Sequence, residues 1–257
     1  MTLEKLVQYL RNENPSLKVE GLPLKEQYRA LVNVRPPQPI SADFLKWQNA
    51  YLTEERERKG VVEAMELPTS QLYPAIALWQ GDITRLKVDA IVNAANNQLL
   101  GCFAPLHNCI DNAIHTAAGV QLRADCNALM QSQGHKEATG TAKITKGYNL
   151  PAKYVLHTVG PIVGESLTPL HCEQLASCYK SCLEVAEAHS LQSVAFCCIS
   201  TGVFRFPNRE AAQIAVQTVT DYVANHPNSS IKRIIFNVFK EEDFSIYQQL
   251  LTKKWIN

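Results

Sequence analysis

Three residues with metal-binding side chains stand close together: Cys102, His107 and Cys109, spaced C-x4-H-x-C. Two thiolates and one imidazole can occupy three corners of a tetrahedron, a ligand set that suits Zn²⁺. No fourth ligand stands out nearby. Three protein ligands with one open position is the arrangement of a catalytic zinc, whereas structural sites are closed by four. The competing reading of the same residues is plain burial, because free cysteine is a common core residue.

Three further segments carry candidate ligand contacts. Gly81-Asp82-Ile83-Thr84 contains a carboxylate that only accepts hydrogen bonds, which suits an exocyclic amino group such as that of adenine. A turn aspartate capping its own backbone is the alternative. Val88-Asp89-Ala90-Ile91-Val92-Asn93-Ala94-Ala95-Asn96 is an apolar run that ends in amides separated by alanines. Those amides must find partners, in the protein or in a ligand. Ser200-Thr201-Gly202-Val203-Phe204 is a small-residue loop leading toward a helix N-terminus. Free backbone N–H groups in such a loop bind a diphosphate without lysine or arginine.

The elements that must position these segments follow from hydrophobic period. Short β-rich runs occur at Ile76–Trp79, Ala90–Val92, Tyr154–Leu156, Val194–Phe196 and Ile234–Phe236. Each is bounded by turn residues and reads as a buried strand. Helical patterns at Cys109–Ala118, Ser166–His189, Arg209–Asn225 and Glu242–Thr252 alternate with them. Alternation of this kind implies a three-layer α/β/α fold around a central mixed, largely parallel sheet. Ligands bind such sheets at the carboxyl ends of the strands, which is where the candidate segments lie.

Residues 1–70 differ in composition from residues 71–257. They read as a helical N-terminal extension with helices at Leu3–Arg11, Leu24–Val34 and from Ser41, an N-cap, to Lys59. The extension has no cluster of catalytic residue types, and packing on the main domain is its simplest role.

The chain has 257 residues, of which 46% are hydrophobic and 19% charged, enough to build a core and incompatible with general disorder. Its net charge of +1 removes the electrostatic case for a nucleic-acid binder. No apolar stretch approaches the ~20 residues of a membrane helix, and the charged N-terminus does not read as a signal peptide. Eight irregularly spaced cysteines then imply a reducing, cytoplasmic setting. No exposed apolar stripe calls for a partner copy, so a monomer is expected. Cys172, Cys178, Cys182, Cys197, Cys198 and His157 read as core residues, and His115 as support for the loop before it.

In order, GDIT, VDAIVNAAN, the Ile110–His115 run, GYNLPAKYVLHTVGP and STGVF resemble the macrodomain family, which binds ADP-ribose. The resemblance covers about residues 70–257. It implies that Asp82 holds the adenine amino group and Ile83 contacts the ring. It also implies that Ser200, Thr201, Gly202, Val203 and Phe204 cradle the diphosphate and Phe239 stacks on the adenine.

The chain departs from ordinary MacroD-type hydrolases where they carry a glycine run. It reads Leu100-Gly101-Cys102-Phe103-Ala104-Pro105-Leu106-His107-Asn108-Cys109-Ile110-Asp111 instead. In this loop the C-x4-H-x-C spacing is similar to the zinc-dependent macrodomain subfamily, which also carries a helical N-terminal extension. That resemblance implies one Zn²⁺ held by Cys102, His107 and Cys109, and removal of mono-ADP-ribose from modified proteins. Asp111 would then be the general base and Asn96 would orient the distal ribose. Some members are encoded beside a lipoylated carrier protein, which makes such a carrier a candidate partner. A second departure is Arg205, where the common pattern has glycine; a cation there would narrow the cleft or meet the diphosphate. A non-catalytic ADP-ribose reader and an O-acetyl-ADP-ribose deacetylase are the competing functions.

Overall fold

The structure is a computed structural model and describes residues 2–252. Among them, three helices come first: α1 (Thr2–Glu13), α2 (Leu24–Val34) and α3 (Ala42–Lys59). Leu6, Val7 and Leu10 recur at helical spacing on α1 and are buried against Tyr28 and Leu31 of α2 and Phe44 of α3. Full burial of each such aliphatic side chain is worth about 1.5–3 kcal/mol. Ser41 caps α3 as its position suggested, its side chain accepting from Phe44 N at 3.1 Å.

The rest of the chain forms a second apolar cluster around a six-stranded sheet. After a short β1 (Val62–Glu63) come β2 (Ile76–Gln80), β3 (Leu86–Lys87), β4 (Ala90–Ala95), α4 (Ile110–Ala118) and α5 (Val120–Gln133). They are followed by β5 (Ala142–Lys146), β6 (Tyr154–Val159), α6 (Pro169–Ala188), β7 (Ser193–Phe196), α7 (Asn208–Asn225), β8 (Arg233–Val238) and α8 (Glu241–Thr252). The main sheet runs β2-β8-β7-β4-β6-β5; every pair is parallel except β5 with β6. Helices α6, α7 and α8 lie side by side, while α4 and α5 pack on each other and on the sheet. The expected mixed, largely parallel α/β architecture is thus present.

Besides the two-residue strands β1 and β3, two longer elements of the main fold escape the periodicity argument. β5 reads AKITK, an edge strand with mostly half-buried side chains and two lysines, so it lacks the apolar run of a central strand. α5 buries only Leu122, Arg123 and Cys126 and carries no continuous apolar stripe. Cys197 and Cys198 lie just beyond β7 rather than within it. No helix among the described residues is long and apolar enough to cross a membrane.

Strands β2, β8, β7, β4 and β6 are parallel, so their carboxyl ends share one edge of the sheet. The segments that follow β2, β4, β7 and β8 therefore converge there, and the extension packs beside them. Gln48 of α3 accepts from Val120 N at 3.0 Å and donates to Gln121 at 2.7 Å, tying the extension to the start of α5.

Candidate active site

A cleft of about 920 Å³ opens along the carboxyl edge of the sheet. Asp82, Asn96, Cys102, His107, Cys109, Asp111, the 200–204 loop and Phe239 all line it. Its opposite wall comes from the extension, through Tyr28, Arg29, Tyr51, Arg56 and Lys59. The extension thus walls the cleft as well as packing on the main fold.

At one end, Asp82 closes the turn after β2. Its Oδ1 accepts from Thr84 N at 3.0 Å and Thr84 Oγ1 at 2.6 Å, and its Oδ2 pairs with Lys59 Nζ at 3.1 Å. Burial opposes ionisation, but Thr84 and Lys59 outweigh it and hold the carboxyl below its ordinary range. Ile83 is buried behind it, and Phe239 stands 77% exposed just past β8.

In the middle, the loop after β7 turns through Ser200 and Arg205, both in the left-handed region at φ 65° and 57°. Arg205 therefore occupies a backbone position that favours glycine, consistent with the residue expected there. Its side chain is exposed and is not among the residues lining the cleft, contrary to the expectation that it narrows it. The turn is held by Phe206 N donating to Ser200 O (2.9 Å) and Val163 N to Phe204 O (2.9 Å). The N–H groups of Thr201, Gly202, Val203 and Phe204 have no acceptor among the described residues, the condition for binding an anion. Gly160 lies beneath; a Cβ there would collide with Ser200 Oγ.

At the far end lies the Cys102–Cys109 loop. The ligating atoms of Cys102, His107 and Cys109 all fall within 4.8 Å of one another, and Cys102 Sγ is 3.5 Å from His107 Nδ1. Tetrahedral zinc with Zn–S about 2.3 Å and Zn–N about 2.05 Å has an S···N edge of roughly 3.5 Å, so the pair is already at the spacing the ion requires. Cys109 is the N-cap of α4, with Asn112 N directed at its Sγ (3.4 Å). Burial pushes the Cys109 thiol up to about 11, and Cys102 adds to the shift. A divalent cation is what allows two adjacent thiols to ionise together. The donor set fits zinc.

Asp111, in the first turn of α4, is 5% exposed and accepts from Asn93 Nδ2 at 2.9 Å. Burial raises its carboxyl to about 6, with Asn93 opposing the shift. Asn93 also meets His157 Nδ1 at 3.2 Å, and His157 Nε2 meets Thr145 Oγ1 at 2.8 Å. His157 is thus a partnered core histidine, and burial lowers it to about 3. Cys126 belongs to this interior, with Sγ 3.7 Å from His157 Nε2. His115, held neutral by burial and by Arg123, packs beneath Gly101 with Nε2 3.4 Å from Asp111 Oδ1. Asn96 donates to Gly101 O (3.0 Å) and accepts from Gln98 N (2.9 Å). One amide hydrogen and one lone pair are therefore spent on shaping the loop, and the others remain for a ligand.

Two roles in this site, those of Asn112 and Arg123, had no signal in the sequence. Asn112 donates to Ala104 O (3.0 Å) and His107 O (3.2 Å). Arg123 donates to Leu100 O (2.6 Å) and also to Val32 O (2.9 Å), Asn33 O (3.0 Å) and Arg35 O. It so caps the carbonyl end of α2 from a distant helix.

These features define an α/β protein with a large cleft at the carboxyl ends of parallel strands. Residues 92–215 match the Macro domain family. Over 254 residues, 96% of this chain and 97% of the relative, the sequence is 51% identical to a Treponema medium protein named protein-ADP-ribose hydrolase. A Staphylococcus aureus (strain MSSA476) protein of the same name is 48% identical over 98% of this chain and 95% of its own. The Trypanosoma brucei macrodomain in complex with ADP-ribose superposes with a TM-score of 0.67 at 31% identity, covering 87% of this chain and 94% of that one. The Oceanobacillus iheyensis macrodomain with ADP gives 0.61 at 39% identity, over 68% and 89%. The chain belongs to the Macro domain family.

Proposed function

We propose that this protein is a zinc-dependent protein-ADP-ribose hydrolase that removes mono-ADP-ribose from modified side chains by cleaving the bond at C1″ of the distal ribose. The observation that carries this reading is the convergence of Cys102, His107 and Cys109 at the end of the cleft where Asp111 stands. The relatives named protein-ADP-ribose hydrolase, matched over nearly the whole chain, support the reaction class.

Asp82 accepts the adenine amino group, Ile83 backs the ring, and Phe239 covers it. The N–H groups of Thr201 to Phe204 receive the diphosphate from Ser200 onward. This binding is remote from the bond that breaks and supplies orientation at the ribose. Zinc held by Cys102, His107 and Cys109 supplies Lewis acidity beside the distal ribose. Asn96 orients the ribose hydroxyls. Asp111 accepts a proton from the attacking water as its oxygen bonds to C1″. The bond from C1″ to the side chain breaks with its electron pair going to the side-chain atom, which takes up the proton that Asp111 received and so restores the carboxylate. The products are free ADP-ribose and the unmodified protein.

The test is a time course of ADP-ribose release from a mono-ADP-ribosylated protein by the zinc-loaded chain. Steady release that a chelator stops, and that added zinc restores, is expected. Saturable binding without release would make the protein a reader instead. Undiminished release by a verified zinc-free preparation would remove the metal from the reaction.

A further inference from the structure

We infer that helix α2 of the N-terminal extension is the scaffold on which the Cys102–Cys109 loop takes its ligand geometry, with Arg29, Asn33 and Leu106 as positioning residues. The inference rests on the metal reading above and assigns the extension a part in it.

The loop has no regular secondary structure, and its own backbone bonds are few, His107 N to Ala104 O (3.3 Å) and Cys109 N to His107 O (3.1 Å), so side chains from outside fix much of its shape. The main fold supplies part of this through Asn96 on Gly101 O and Asn112 on Ala104 O and His107 O. The extension supplies four further bonds. Arg29 donates to Leu106 O (3.4 Å), His107 O (3.1 Å) and Asn108 Oδ1 (2.8 Å). Asn33, 1% exposed, accepts from Leu106 N at 3.1 Å and donates to Thr116 Oγ1 of α4 at 3.1 Å. The His107 carbonyl therefore accepts from Arg29 and Asn112 as well as from Cys109 N (3.1 Å).

Leu106 carries the apolar half of the attachment. Its side chain packs against the apolar cluster of α1–α3, not against the cluster around the sheet. Its backbone is in the left-handed region at φ 59°, which a residue with a Cβ adopts only at a cost. Such a conformation persists where the surroundings over-determine it. Here they do so through Asn33 on its N–H, Arg29 on its carbonyl, and the extension's core against one side of its half-buried side chain. The next residue is His107. The two cysteines have other anchors, Cys109 as the cap of α4 and Cys102 beside Gly101. The imidazole is thus the ligand whose placement depends on α2. A loop held in its bound conformation binds more tightly because less ordering remains at the moment of binding.

The experiment uses the full chain. Zinc affinity is measured by competition with a chromogenic chelator, and Co²⁺ replaces zinc to report the coordination sphere by absorption. Arg29→Ala and Leu106→Ala should each weaken zinc binding at least tenfold with the far-ultraviolet circular dichroism unchanged. The thiolate-to-Co²⁺ charge-transfer band should survive while the ligand-field bands shift as His107 is lost. Arg29→Lys should recover part of the affinity. Arg11→Ala, which breaks an exposed ion pair within the extension, should stay within twofold of the parent. ADP-ribose affinity of the metal-free chain should stay within threefold in Leu106→Ala, whose side chain does not line the cleft. Zinc affinity lost in Cys102→Ser but unchanged in Arg29→Ala and Leu106→Ala would overturn this inference and leave the metal reading standing. A parent chain that binds no zinc through Cys102, His107 and Cys109 would overturn both.

Discussion

Lys59, the last residue of α3, places its ammonium 3.1 Å from Asp82 Oδ2, so the extension touches the carboxylate proposed to receive adenine. The other oxygen is committed to Thr84. A carboxylate oxygen accepts more than one hydrogen bond, so Oδ2 serves both Lys59 and an amino group. Asp82→Ala should weaken ADP-ribose binding about 10- to 100-fold, the scale of a hydrogen bond to a charged group. Lys59→Ala should change it less than about threefold, because a part-exposed ion pair is worth about 0–1 kcal/mol. Titration calorimetry on both variants checks the pair; equal losses would contradict the assignment.

Chelation should abolish turnover while leaving most of the ADP-ribose affinity. The residues proposed to contact adenine and the diphosphate line other parts of the cleft than the Cys102–Cys109 loop. Cys102→Ser, His107→Ala and Cys109→Ser should reproduce the same separation. Metal analysis alongside a hydrolysis assay and calorimetry measures it.

Asp111→Ala should lower the rate by about 10²- to 10⁴-fold, the usual contribution of a positioned acid or base. Zinc content should stay near that of the parent, since the carboxylate bonds to Asn93 and is not one of the three grouped ligands. Normal turnover would take Asp111 out of the reaction.

Gly160→Ala should distort the diphosphate loop without unfolding the chain. The added methyl runs into Ser200 Oγ and Ile199 Cγ2. Overpacking of this kind costs about 1–3 kcal/mol. ADP-ribose affinity should fall at least tenfold, and the melting temperature by a few degrees. An unchanged affinity would show that the loop tolerates the displacement.

Phe239→Ala should separate binding from stability. At 77% exposed the ring contributes little to the folded state, and surface substitutions of this kind stay within about 0.5 kcal/mol. Loss of base stacking costs about 1–3 kcal/mol of ligand affinity. Thermal melts and calorimetry on one preparation distinguish the two effects.

Most helices could be read from the sequence because their signals are local. Leu24–Val34 is bounded as its apolar pattern and the following Pro36-Pro37 require, and Ser41 caps α3 from its own side chain. The candidate site was legible where one short segment carries it: the C-x4-H-x-C spacing, the 200–204 loop, and Asp82 after a strand. β5 and α5 were not legible, since an edge strand with lysines and a helix with only three buried residues lack a strong period.

The sequence by itself determined which side chains are available near the ribose end and that parallel strands would bring their following loops to one edge. Only the tertiary structure decided what holds them. Arg29 reaches carbonyls 77 and 78 residues away, and Arg123 reaches α2 across about as great a separation. Such bonds run from a side chain to a remote backbone oxygen, and every residue type offers that acceptor. No local period or motif encodes the pairing, which exists only once two separately cored parts of the chain have packed together.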